Sequence, residues 1–96
     1  MATVEIALVA EHDLAELIHS RDLPRDTRKR VGRSLLTLEQ FPRGGRSLTG
    51  RWHGLRVLIG PWGWLIAIYS YEEARDRVTI VAFQDARAAG AATAAD

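Results

Sequence analysis

Between Arg46 and Arg87 the chain alternates apolar runs with short breaks of glycine, proline or charge. Residues 57–59 and 62–71 are dominated by aliphatic and aromatic side chains and separated only by Gly60-Pro61; a charged link then leads to a third run, residues 78–83. Runs of this length, rich in Val, Ile, Trp, Tyr and Phe, read as β-strands joined by tight connections. Links so short permit only antiparallel pairing, since a parallel crossover needs roughly a dozen residues. The C-terminal half is therefore expected to be a β-meander, which the residues before Arg46 must cover.

Those residues change period. Residues 3–9 alternate weakly, with Val4, Ile6 and Leu8 on one side, and read as a short first strand. Residues 11–20 place Leu14, Leu17 and Ile18 on one stripe of an amphipathic helix. Pro24 suits the first turn of a second helix that continues to Gln40, with Val31, Leu35 and Leu38 on one face, Leu36 beside them, and Arg25, Lys29 and Arg33 on the other side. Gly32 costs a helix roughly 1 kcal/mol relative to alanine and reads as a sign of close packing. Phe41-Pro42 ends the helix, and Gly44-Gly45 supplies a flexible loop. The short link between the helices makes them an antiparallel hairpin on one face of the sheet. The expected fold is α+β, in the order β-α-α-β-β-β, with the hairpin on a mostly antiparallel, twisted four-stranded sheet. Residues 1–89 form one domain, and residues 90–96, alanine-rich and without a large apolar anchor, form a flexible tail.

Composition narrows the classes. An apolar fraction of 47% and a charged fraction of 26% are those of a globular domain, which excludes wholesale disorder. Without cysteine there are no disulfides or thiolate metal sites, as in a reducing compartment. The N-terminal stretch has no basic segment and Glu5 interrupts its apolar run, so it reads as neither signal peptide nor membrane span, and a cytoplasmic location is expected. Net charge is only +1, yet residues 21–56 carry ten basic side chains against Asp22, Asp26 and Glu39, while both flanks are acidic. A basic middle of this kind suits a polyanion or an acidic partner protein, although a solvated helix face would carry the same residues.

Few residues offer chemistry. His12 and His19 are too far apart on the first helix to share a metal, and no metal or other cofactor is expected. Glu72, Glu73 and Asp76 fall in a turn, where solvated acids are ordinary. No nucleophilic serine motif, phosphate-binding glycine loop or dinucleotide fingerprint occurs. Trp52, Trp62 and Trp64 could stack on bases; alternatively Trp62 and Trp64, sharing a strand face, seal the core beneath the helices.

Three segments in a fixed order carry a family resemblance. Leu48-Thr49-Gly50 followed by Gly54-Leu55-Arg56-Val57 is similar to the entry into the second strand of the RelE/ParE superfamily of type II toxin–antitoxin toxins. Gly60-Pro61-Trp62 resembles the turn and aromatic residue that open that family's third strand, and Phe83-Gln84-Asp85-Ala86-Arg87 resembles its end-of-sheet stretch. The resemblance covers residues 3–89. Two features of its translation-blocking members are missing: Gly63 stands where they have a third-strand arginine, and no tyrosine follows Arg87.

The resemblance implies a toxin that binds the ribosome and cleaves mRNA, without metal, by attack of a 2′-hydroxyl on the adjacent phosphate. Such a reaction needs a base, an acid and positive charge at the phosphate. Arg56 and Arg87 are the candidates for the phosphate, as arginine matches its oxygens in pairs, and they are expected to meet over one sheet face. His53 is the candidate acid or base, or simply a loop residue. Arg25, Lys29, Arg33, Arg46 and Arg51 would hold nucleic acid. The implied partner is a cognate antitoxin, in a hetero-oligomer, that covers apolar grooves and neutralises charge. The alternatives within the resemblance are a ParE-like inhibitor that contacts DNA gyrase without chemistry, and a degenerate member that only binds its antitoxin.

Overall fold

A computed structural model describes residues 1–88 and 90–93. Strand β1 (Thr3–Ile6) leads into helices α1 (Leu8–Ser20) and α2 (Thr27–Gln40); strands β2 (Arg46–Ser47), β3 (Arg56–Ile59), β4 (Leu65–Glu72) and β5 (Arg77–Asp85) follow. The sheet has five strands in the order β1-β5-β4-β3-β2. The meander β3–β4–β5 pairs antiparallel as expected, and β1 returns to lie parallel to β5, Val4 opposite Val78 and Ile6 opposite Ile80. The fifth strand, beyond the four expected, is the two-residue β2, which pairs Arg46 with Val57 and Ser47 with Arg56.

Two boundaries and one packing expectation differ from the sequence reading. The first strand stops at Ile6 rather than Val9, because Ala7 turns the chain and its carbonyl accepts the first helical bond, from Glu11 N–H at 3.0 Å. Leu8 and Val9 are accordingly exposed at the start of α1. Helix α2 begins at Thr27, not Pro24; the Pro24 carbonyl accepts from both the Thr27 N–H and its hydroxyl, which satisfies a buried polar side chain. Gly32 is not closely packed within the chain: a Cβ there would meet no atom within 4 Å.

The sheet buries both faces. Beneath the helices, Ala10, Leu14, Val31, Leu35 and Leu38 pack on Leu65, Ala67, Tyr69, Val78, Ile80 and Phe83. On the other face, Leu48, Val57, Ile66 and Ile68 form a smaller core with Trp52, Leu55, Val81 and Ala92 around it. Strand β4, central and covered on both sides, is buried at every position from Leu65 to Tyr69, which is why it reads as a continuous rather than alternating apolar run. The Asp13 carboxylate accepts from Phe83 N–H at 3.2 Å and ties α1 to β5. Among the described residues no helix is long and apolar enough to cross a membrane.

Candidate functional site: an arginine-lined cleft opposite the helices

The register of β3, β4 and β5 fixes where the two candidate catalytic arginines lie. Arg56 is opposite Tyr69 and Asp85 is opposite Leu65, so both positions share the helix-side face of the sheet, but Asp85 faces the first residue of β4 and Arg56 its middle. At about 3.3 Å per residue the two positions are roughly 13 Å apart, and Arg87 lies beyond Asp85. The structure does not bring Arg56 and Arg87 together. Arg56 instead donates from Nη1 to the carbonyl oxygens of Gly45 (2.8 Å) and Arg43 (3.1 Å), fastening the loop that follows α2. In the same corner the buried Tyr69 hydroxyl accepts from Gly45 N–H at 2.8 Å, and burial pushes that phenol above its ordinary pKa.

Arg87 is held by a carboxylate and an indole. Its Nε and Nη2 donate to the two oxygens of Asp85 at 2.9 and 2.8 Å, and its guanidinium lies 4.9 Å from the centre of the Trp64 ring. Trp64 stacks on Trp62 with centroids 5.8 Å apart and planes 3° from parallel, and Arg30 of α2 covers the far face of this pair, 5.9 Å from the Trp62 ring. Both indoles are thus layered between cations and pack against the core under the helices, as the second of their two sequence readings expected, but from the turn that precedes β4 rather than from a shared strand face.

Asp85, which the sequence reading quoted only as part of a motif, organises this end of the molecule. It is 6% exposed and accepts from the Arg87 side chain, the Arg87 backbone N–H and Arg21 Nε (3.0 Å). Hydrogen bonds from the Arg87 guanidinium, then from its backbone N–H, hold the carboxyl far below the usual carboxylate range; burial opposes them and Arg21 adds to them. A carboxylate depressed in the folded state stabilises the fold above its unfolded pKa, near 4, and loses that contribution as pH falls toward the folded value. Thermal melts between neutral pH and about pH 2 should therefore show the wild type weakening below roughly pH 4. Asp85→Asn should melt lower at neutrality and show a flatter acid limb. An unchanged acid limb would remove Asp85 from this role.

The remaining candidates separate into two groups on opposite layers. Arg25, Lys29 and Arg33 are exposed along the outer side of α2 and the turn before it. Arg46, on the edge strand β2, and Arg51, after it, line a cleft of ≈ 660 Å³ on the face away from the helices. Its walls are residues 46–52 on one side and residues 90–93 on the other. Gly50, at φ 63°, makes the tight turn that folds Arg51 and Trp52 over the free face of the sheet. Arg51 lies 5.2 Å from the Trp52 ring and donates from Nη2 to the Gly90 carbonyl at 3.1 Å. Among the described residues neither Arg46 nor Arg51 has a carboxylate partner, whereas Arg21, Arg28, Arg30, Arg43, Arg75, Arg77 and Arg87 each do. The cleft therefore presents, among the described residues, positive charge without a facing carboxylate, beside an indole. His53 follows Trp52 and is exposed. Residues 94–96 of the expected tail lie outside the described residues, while Ala91 is buried and Ala92 N–H donates to Gln84 Oε1 at 2.8 Å.

A second surface feature was not foreseen. Thr3 N–H and Ala7 N–H point to β5, donating to Asp76 O and Ile80 O at 2.9 Å, so the backbone groups of Val4 and Ile6 face the sheet's free edge. Beside that edge Val4, Ile6, Gly32, Leu35, Leu36 and Glu39 line an apolar groove of ≈ 230 Å³. A glycine inside a strongly periodic helix was the signal available in sequence.

These features define a small α+β domain, a helical hairpin over one sheet face and an arginine-lined cleft on the other. Solved structures share the architecture. The toxin–antitoxin complex RelBE2 from Mycobacterium tuberculosis matches with a TM-score of 0.67 at 20% identity, over 88% of this chain and 96% of that one. The chromosomal ParDE system from P. aeruginosa matches at 0.65 and 15%, over 88% and 96%. The intact E. coli RelBE complex matches at 0.64 and 14%, over 92% and 100%. No protein-family model matches the sequence, and no curated protein does. At such identities the likeness establishes the fold: this chain has the fold of the RelE/ParE toxins.

Proposed function

We propose that this protein is the toxin of a type II toxin–antitoxin module and that it blocks translation by cutting ribosome-bound mRNA held in the cleft. The observation that carries this reading is the pair of arginines, Arg46 and Arg51, without a carboxylate partner among the described residues, in a cleft of nucleotide-sized volume on a RelE/ParE-like fold. Arginine pairs phosphate oxygens through parallel donors, and Trp52 offers an aromatic neighbour for a base. Arg56 and Arg87 are engaged elsewhere, so gripping the phosphate falls to Arg46 and Arg51, and His53, exposed just outside the cleft lining in sequence after Trp52, is the candidate that moves protons.

Cell-free translation with purified protein and end-mapped mRNA tests this. The wild type should produce discrete cuts, and Arg46→Ala/Arg51→Ala should slow them on the order of a hundredfold, the loss of two charge-assisted bonds. A second reading, contact inhibition of DNA gyrase without chemistry, is favoured by the locking of Arg87 on Asp85 and of Arg56 on the loop carbonyls. Intact mRNA together with arrested supercoiling would select it; neither effect would sink both targets.

The antitoxin is assigned to the groove between β1 and α2. A strand laid along Val4 and Ile6 would complete their edge hydrogen bonds and drop alternate side chains toward Gly32. Arg25, Lys29 and Arg33 flank that side of the helix without a carboxylate partner among the described residues, which favours an acidic segment.

A further inference from the structure

Residues 90–93 separate two hollows. On one side is the ≈ 660 Å³ cleft with Arg46 and Arg51; on the other is a hollow of ≈ 230 Å³ lined by Leu17, Arg21, Gln84, Asp85 and Ala88. Ala91 is buried and Ala92 packs at the rim of the smaller core, but with hollows on both flanks the segment makes fewer close contacts than a strand or helix of the core. Its side chains are those of glycine, alanine and threonine, so little apolar surface is buried with it. Among the described residues three hydrogen bonds tie it down: Arg51 Nη2 to the Gly90 carbonyl (3.1 Å), Ala92 N–H to Gln84 Oε1 (2.8 Å), and the local turn from Ala91 N–H to the Ala88 carbonyl (3.2 Å). One of the three is made by an arginine of the proposed RNA cleft.

That arginine has a stronger partner available. A guanidinium offers a neutral carbonyl one ordinary hydrogen bond, whereas a phosphate accepts two parallel donors in bonds roughly twice as strong. We propose that residues 90–93 are a displaceable partition: a phosphodiester of single-stranded RNA entering at Arg51 takes over the donor that holds Gly90, the segment swings away, and the two hollows merge into one groove. The merged groove runs from Arg46 and Arg51 past Gln84 to Arg21 and the end of β5, and a longer stretch of RNA touches basic side chains than the closed cleft admits. The inference rests on the reading of the cleft as an RNA site and adds its regulation. Coupling is reciprocal: whatever loosens the segment tightens RNA binding by the same factor that RNA loosens the segment.

The test titrates a fluorescein-labelled oligouridine into the full chain, into Gln84→Ala and into Arg46→Ala/Arg51→Ala, with amide hydrogen exchange of residues 90–93 followed in the wild type. Gln84→Ala removes the Ala92 tether and should bind about fivefold tighter, the factor carried by one ordinary hydrogen bond. In the wild type the Ala91 and Ala92 amides should exchange faster once oligouridine is bound. Equal or weaker binding by Gln84→Ala, or slower exchange on binding, would show a fixed wall and overturn the partition while leaving the RNA cleft standing. Unaltered binding by Arg46→Ala/Arg51→Ala would overturn the cleft reading and the partition with it.

Discussion

Gly45→Ala is expected to destabilise the domain by about 3 kcal/mol, the most damaging single-methyl change the structure indicates. A Cβ at this position would lie 2.6 Å from both the Tyr69 hydroxyl and the Val57 carbonyl, and 2.8 Å from Tyr69 Cε1. Neither neighbour can yield. Tyr69 is fully buried beneath the helices, and Val57 is held in the ladder between β2 and β3. The methyl would also push apart two hydrogen bonds, Gly45 N–H to Tyr69 Oη and Arg56 Nη1 to the Gly45 carbonyl, each 2.8 Å long. For a chain of this size the expected fall in melting temperature is roughly 15 °C. Gly63→Ala is the matched control: nothing lies within 4 Å of its Cβ, and its melt should shift by less than about 2 °C. Tyr69→Phe in the Gly45→Ala background should recover part of the loss by removing one of the two obstructing oxygens. A Gly45→Ala protein that melts with the control would mean that the loop after α2 does not sit against Tyr69.

The meander was legible because β-branched and aromatic runs separated by two and six residues leave the chain little choice of pairing. Strand β2 was not legible, since two residues cannot show a period. Apolar character alone extended the first strand over Leu8 and Val9, which are exposed on α1; alternation counts apolar residues but does not say which of them find a core. Neighbouring strands could be named from sequence, but how far along the sheet each arginine falls depends on register, and register placed Arg56 and Arg87 too far apart to meet. The fate of Arg87 was written two residues upstream: an aspartate at Asp85 is close enough to take both of its donors. Arg46 and Arg51 were named among several basic residues, and only the fold of residues 46–52 over the free sheet face separates them from the stripe on α2. Gly32 was noticed and misread, because a glycine that lets a neighbour in close looks the same in sequence as one that leaves a space open.

That open space sets the second large effect. Gly32 has ordinary helical geometry and an unobstructed Cβ direction, so Gly32→Ala should stabilise the isolated protein by about 1 kcal/mol. Within the chain, then, the glycine is a cost without a contact to offset it. The groove it floors, between Val4 and Ile6 on the sheet edge and Leu35 and Leu36 on α2, is where a partner's side chain would gain from the missing methyl. Gly32→Leu fills that groove without disturbing the core beneath. The expected result is a fold at least as stable as wild type, unaltered toxicity, and an antitoxin affinity lowered by about thirtyfold, the cost of overpacking a seated side chain by roughly 2 kcal/mol. Co-expression should then fail to rescue growth, while an antitoxin carrying a smaller residue at the facing position should restore rescue. Stability and neutralisation moving in opposite directions is the signature, because a merely structural glycine would lower both. Antitoxin affinity within twofold of wild type in Gly32→Leu would place the partner elsewhere on the molecule and leave the helix cost of Gly32 without a function.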